Sequence, residues 1–154
     1  MLKNISKIVL STALMVGYAS VAQAEMSRED YAIKFRRGGY TVLGWYYGPL
    51  YRMAKGEMPY DKALFLRNAD YLAVLSKLPK DGFIPGSGAG ETKAKPEIWS
   101  KSDKFKEAND RLENESARLA ELAKTGDLDV IKVQFGKLQK SCKACHDDFK
   151  NKAD

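Results

Sequence analysis

From Arg28 onward the apolar residues of this chain recur at intervals of three and four, and no stretch alternates as a strand would. The first periodic segment runs from about Arg28 to Lys55. Ser27 stands where an N-cap belongs, with Asp30 three residues later as a short-armed capping-box partner. Ile33, Arg36, Tyr40, Leu43 and Tyr47 fall on one stripe, and Phe35, Val42, Trp45 and Tyr46 widen the apolar surface. Gly48-Pro49 is expected to bend or end the far part of this helix. A second helix is expected from its N-cap Asp61 to about Leu78, where Pro79 stops it. "PKDGFIPGSGAGETKAKPEIW" follows, with three prolines and four glycines, and reads as a long extended loop, usually a sign of function. The third helix starts near Ser100 or Ser102, turns Phe105, Ala108, Leu112, Leu119 and Leu122 inward, and ends at Gly126. The fourth is capped by Asp127 and carries Leu128, Ile131, Phe135, Leu138, Cys142, Cys145 and Phe149, alternating three and four without a break. Four helices with two short connections and one long one predict an all-α, antiparallel four-helix bundle.

The first 24 residues have a different character. Lys3 and Lys7 precede an apolar run from Ile8 to Val16, and Ala22-Gln23-Ala24 supplies the small residues a signal peptidase reads. The run is too short to span a bilayer, so residues 1–24 read as a cleaved signal peptide. Residues 25–154 are then one exported domain, expected in a periplasm. Without Lys3 and Lys7 the formal charge falls from +6 to +4, and no later basic cluster exceeds Arg36-Arg37. Nucleic-acid binding is dismissed on that ground, and membrane insertion because no later apolar run is long enough.

Both cysteines and the single histidine of the chain lie in "SCKACH", residues 141–146. Cys-x-x-Cys-His is the attachment pattern of a c-type haem. Each thiol adds across one vinyl group, and the adjacent imidazole reaches the iron from the same side. One covalent haem c on Cys142 and Cys145, with His146 as axial iron ligand, is therefore expected. A redox dithiol usually sits at a strand-to-helix junction, which this chain lacks. A disulfide across three residues of a regular helix is awkward, and a zinc site would be short of ligands.

What an iron of this kind does turns on its sixth position. Residues 25–154 offer no second histidine and three methionines, Met26, Met53 and Met58. In an antiparallel pairing of first and fourth helices, His146, about 8 Å in from its helix end, faces roughly residues 33–40. Met26 falls at or before the helix start, and Met53 about 20 Å beyond Tyr40. Tyr40 is thus expected to roof an open, five-coordinate iron, packing rather than ligating. Gly38-Gly39, costly inside a helix, fits a close approach by porphyrin or by a partner helix.

At these residues the chain resembles the cytochrome c′ family, class II c-type cytochromes, across essentially the whole of residues 25–154. The resemblance rests on "YAIKFRRGGYTVLGW", "PYDKA", "LSKLP", "TKAKPEIWS" and "GDLDVIKVQFGKLQKSCKACHDDF". The family is itself an established example of the up-down-up-down bundle. The resemblance implies a high-spin, five-coordinate haem that binds NO and CO in a crowded pocket, a role in NO scavenging, and a homodimer through the first two helices. It carries Cys142 and Cys145 onto the thioether positions, His146 onto the proximal ligand, and Tyr40 onto a distal position that is usually apolar. It also brings Arg36, Arg37 and Thr92 to the haem periphery, Arg37 replacing a common glutamine. Lys150 stands where many members have an arginine, whose planar donor an ammonium does not imitate.

Two other functions stay open at the level of sequence. One is a low-spin, six-coordinate electron carrier using a methionine ligand, for which Met26 is the candidate; an unidentified electron donor is expected as a partner already for the gas-binding reading. The other is an enzyme, which is not expected, because Tyr40 beside Arg36 is a poor substitute for the acid–base groups of a peroxidase.

Overall fold

The computed structural model describes residues 25–152; the proposed signal peptide lies outside the described residues. Helix α1 is Arg28–Lys55, α2 is Lys62–Leu75, α3 is the single turn Glu97–Ser100, α4 is Ser102–Ala123 and α5 is Leu128–Phe149, with a 3-10 turn at Pro79–Gly82. The four long helices form the expected up-down-up-down bundle, each packed on the next in chain order. Among the described residues no helix is long and apolar enough to cross a membrane.

The expected caps form. The Ser27 and Asp61 side chains accept from the backbone of Asp30 and Leu64, and Asp127 accepts from Asp129 and Val130. Asp30 does not close a reciprocal box. Its Oδ2 instead accepts from the Ser27 hydroxyl at 2.8 Å. Gly56 ends α1 in the left-handed region at φ 75°, donating to Arg52 and Met53.

Three expectations change. Pro49 neither ends nor breaks α1, which runs on to Lys55. The carbonyl that loses its donor is that of Trp45, whose residue is 78% exposed, so water can take the place of the missing N–H. α2 stops at Leu75 rather than Leu78, because Lys77 and Leu78 turn back on Val74 and Leu75 through bonds one residue shorter than helical ones. The long connection is not simply extended, since it holds the 3-10 turn and α3.

Leu50, Met53, Phe65, Leu72, Leu119, Ala123, Ile131, Phe135 and Leu138 fill the half of the bundle away from the end of α5. Phe35, Val42 and Trp45 do not widen this core. With Tyr31 they form a separate outward stripe on α1, and Tyr71 and Val74 on α2 and Leu78 just beyond it are exposed as well. Gly38 faces open space on the outside, whereas a β-carbon at Gly39 would meet Pro79 at 3.0 Å.

Gly82 is where the loop lies tightest on α1. A β-carbon there would sit 2.8 Å from the Ala32 carbonyl oxygen and 2.9 Å from Arg36 Cβ. Gly82→Ala should therefore cost about 1–3 kcal/mol through overpacking against a helix backbone that cannot yield. Gly136→Ala, in open space within α5, should gain up to about 1 kcal/mol. Urea unfolding of both variants checks the contrast; equal effects would contradict it.

Candidate haem site

α1 and α5 are joined at one end and parted at the other. Tyr47 stacks on Phe135 with centroids 5.2 Å apart, and Tyr51 stands edge-on to the same ring at 6.4 Å. Beyond that contact, toward the end of α5, a cavity of about 1120 Å³ opens between the two helices. Small-molecule sites usually span about 300–1,000 Å³, so this one suits a large occupant. Exposed lining residues such as Arg37, Thr41 and Gly44 open it to solvent, so a large flat group can enter from outside.

Cys142, Cys145, His146, Tyr40, Arg36, Arg37 and Thr92, all named from the sequence, line this one cavity, as does Lys150. The wall on α1 runs from Arg36 to Tyr47 and begins beyond Ile33, because the loop occupies the space beside it: a β-carbon on Gly90 would lie 3.6 Å from Ile33 Cδ1. Among the described residues no methionine lines the cavity. Met26 is 44% exposed ahead of α1, and Met53 is buried at the other end of the bundle, where its sulfur accepts from the Asp61 N–H at 3.4 Å.

The loop wall is held by Arg36, which is only 2% exposed. Nη1 donates to the Gly82 carbonyl and the Ser87 hydroxyl, both at 2.7 Å. Nη2 donates to the Ser87 carbonyl at 2.7 Å and to Thr92 Oγ1 at 2.8 Å. Thr92 Oγ1 also accepts from the Ala94 N–H at 3.1 Å. From there the loop is strapped to the end of α5. Lys95 N–H donates to the Phe149 carbonyl at 3.0 Å, Asn151 N–H to that of Lys93 at 2.8 Å, and Lys95 Nζ to that of Asp147 at 2.7 Å. Arg37 is occupied elsewhere, donating to the Glu91 carbonyl and carboxylate at 3.0 Å.

Sequence reading missed three contributors. Phe83 is the hub of an aromatic wall, edge-on to Tyr40 at 6.4 Å and to Phe105 at 4.8 Å, with Phe105 in turn edge-on to Phe149 at 5.2 Å. Lys93 adds a cation at the mouth. Gly44 lines the cavity with nothing within 4 Å of where a β-carbon would stand, a gap through which a flat ring can approach the helix. A glycine inside a strongly periodic helix was the available signal, and it was noticed only at Gly38 and Gly39.

Charge also fits an anionic group. Arg36, Arg37, Lys93, Lys143 and Lys150 line the cavity against only Glu91 and Asp147, and all of Arg36's acceptors are uncharged. Two propionates would offset two of that surplus of three charges. Burial, then the neighbouring Cys142 and Asp148, push the Cys145 thiol up to about 11, and burial raises Cys142. Raised thiols are the reverse of what a redox dithiol needs. Burial and then Lys150 lower the His146 pKa, favouring the neutral imidazole that binds a metal. Burial holds Tyr40 well above the ordinary tyrosine range, as a neutral phenol.

A helical bundle whose cleft ends in a C-terminal Cys-x-x-Cys-His defines a class of covalent haem proteins. The sequence model described as Cytochrome C′ matches residues 31–150. Cytochrome c′ of Alcaligenes xylosoxydans xylosoxydans is 35% identical over 128 residues, spanning 83% of this chain and 99% of that protein. The structure of cytochrome c prime from Shewanella frigidimarina superposes with a TM-score of 0.80 at 36% identity, over 83% of this chain and 100% of that one. Cytochrome c prime from Alcaligenes xylosoxidans has been solved as a nitric oxide complex of a leucine-to-alanine mutant, with a TM-score of 0.77 at 36% identity over 84% and 100% of the two chains. It has also been solved as a carbon-monoxide-bound leucine-to-glycine variant. This chain belongs to the cytochrome c′ family, and its cofactor is covalent haem c.

The Arg36 cluster generates a prediction of its own. Arg36→Met leaves two carbonyls and two hydroxyls without their donor and should cost about 3 kcal/mol or more. Thr92→Val should cost about 1 kcal/mol. Urea unfolding measures both, with proteolytic nicking between residues 83 and 95 appearing first in the arginine variant. Equal, small losses would show that the loop stands without this clamp.

Proposed function

We propose that this protein is a periplasmic gas-binding cytochrome, exported by residues 1–24 and working as the domain 25–154. Cys142 and Cys145 would hold the haem by thioether bonds and His146 would supply the protein's ligand to iron. The bound haem would supply a metal on which a diatomic gas can bind. The chain does the rest: Arg36 and Thr92 hold the loop wall of the cavity, Arg37 fixes Glu91 beside them, and Tyr40 would cover the gas-binding space from α1. The observation that carries the reading is the makeup of the cavity wall. Among the described residues it contains neither a methionine nor a second histidine, and it includes Tyr40 of α1. The NO and CO complexes of leucine mutants of the Alcaligenes protein support the same ligand class; the physiological role proposed here, NO scavenging, follows from the family resemblance. A methionine-ligated electron carrier would need Met26 drawn about 20 Å along α1 to reach the level of Tyr40.

The reduced protein should bind CO reversibly with a marked change in its absorption spectrum. Tyr40→Ala should raise the CO association rate by at least about tenfold, because removing a crowding ring lowers the barrier by more than about 1.4 kcal/mol. A reduced spectrum indifferent to CO, or an alanine variant no faster than its parent, would overturn the reading.

A homodimer through α1 and α2 is part of the proposal. Tyr31, Phe35, Val42 and Trp45, with Tyr71 and Val74 beside them, form an apolar face too extensive for scattered surface residues. Trp45→Glu should convert a dimer to monomer in analytical ultracentrifugation while the haem spectrum stays unchanged. A parent protein already monomeric at working concentrations would remove this part.

A further inference from the structure

The Tyr40 ring has bulk, and that bulk makes the roof. It also carries a hydroxyl, for which the roof alone gives no use. We infer that the Tyr40 hydroxyl donates a hydrogen bond to the ligand on the iron, so that the pocket favours ligands whose outer atoms accept hydrogen bonds over apolar ones of the same size. The inference rests on the gas-binding reading and deepens it by naming the ligand chemistry.

Tyr40 is half-buried and lines the cavity, yet its hydroxyl makes no hydrogen bond to any described residue. Nor is it sealed inside protein. The enclosed polar atoms without partners are Tyr60 Oη and Asn68 Oδ1, and neither residue lines the cavity. The space open to the phenol is therefore the cavity. Phe83 backs the ring edge-on and is itself fixed, with the Arg36 guanidinium 4.6 Å over its face and Phe105 edge-on at 4.8 Å. Tyr40 and the Cys142–His146 segment of α5 line the same cavity, so the phenol and the haem-bearing residues share one space.

Other donors on the wall are committed or misplaced. Both terminal nitrogens of Arg36 serve the loop, and Arg37 serves Glu91. Lys93 and Lys150 stand on the strap at the end of α5, on the His146 side, where Lys150 acts on the imidazole. Tyr47 stacks on Phe135, seven residues deeper on α1, or about 10 Å from the level of Tyr40. Thr41 donates its hydroxyl to the Arg37 carbonyl and Lys143 pairs with Asp147, so at this level of α1 Tyr40 brings the uncommitted hydroxyl, in a neutral form able to donate.

The test compares the haem-loaded parent with Tyr40→Phe, which keeps the ring and removes the oxygen, and with Tyr47→Phe as a control. Fluoride, a strong acceptor, is titrated onto the ferric protein, and the C–O stretching frequency is recorded for the ferrous CO adduct. Tyr40→Phe should weaken fluoride binding by about tenfold, the worth of one such hydrogen bond, and raise the C–O stretch. Tyr47→Phe should change neither. If Tyr40→Phe matches the parent in both measurements, or if the changes follow Tyr47→Phe instead, the inference is wrong. A parent that binds neither fluoride nor CO would overturn the gas-binding reading first, and this inference with it.

Discussion

A buried guanidinium with no carboxylate beside it is expensive to desolvate, and the haem end of this bundle is organised around satisfying it. Arg36 lies on the inward stripe of α1, where a hydrophobic residue would pack more cheaply. Its four acceptors, two carbonyls and two hydroxyls, all come from the connection between α2 and α4. A glycine-rich segment that could wander over the surface becomes a wall fixed to α1. Through Thr92 and Ala94 the same wall reaches the end of α5, whose backbone it shares with His146. The two sides of the cavity are thus set by one connected network of hydrogen bonds.

Covalent attachment complements that network. Half of the bundle is filled by its own side chains around Phe65, Phe135 and Leu138, and the other half surrounds space. Protein interiors are close-packed, so a prosthetic group here is core as well as reagent. Thioether bonds to α5 make that part of the core permanent. A helix that closes on α1 at Tyr47 and parts from it at Tyr40 leaves a cavity with His146 on one wall and Tyr40 on the other.

Much of this was legible in the sequence, for reasons that differ by residue. The unbroken alternation from Leu128 to Phe149 put both cysteines on one inward face, and the structure has them lining one cavity with His146 and Tyr40. Helix starts were legible because Ser27, Asp61 and Asp127 cap through their own side chains. Pro49 misled because the cost of a lost hydrogen bond depends on whether water can reach the stranded carbonyl. That is a property of the outward face bearing Trp45. Two of Arg36's partners are backbone carbonyls, which leave no mark in a residue pattern. Phe83, in a segment without period, gave no hint that it backs Tyr40.

The claim on which the account rests is that α1 offers the iron no atom to bond, only a ring to meet. Resonance Raman spectroscopy of the resting ferrous protein reads this directly. The account predicts a five-coordinate, high-spin iron with an iron–imidazole stretch from His146 and no second axial bond. A six-coordinate, low-spin spectrum, with sulfur or phenolate oxygen on the metal, would contradict it.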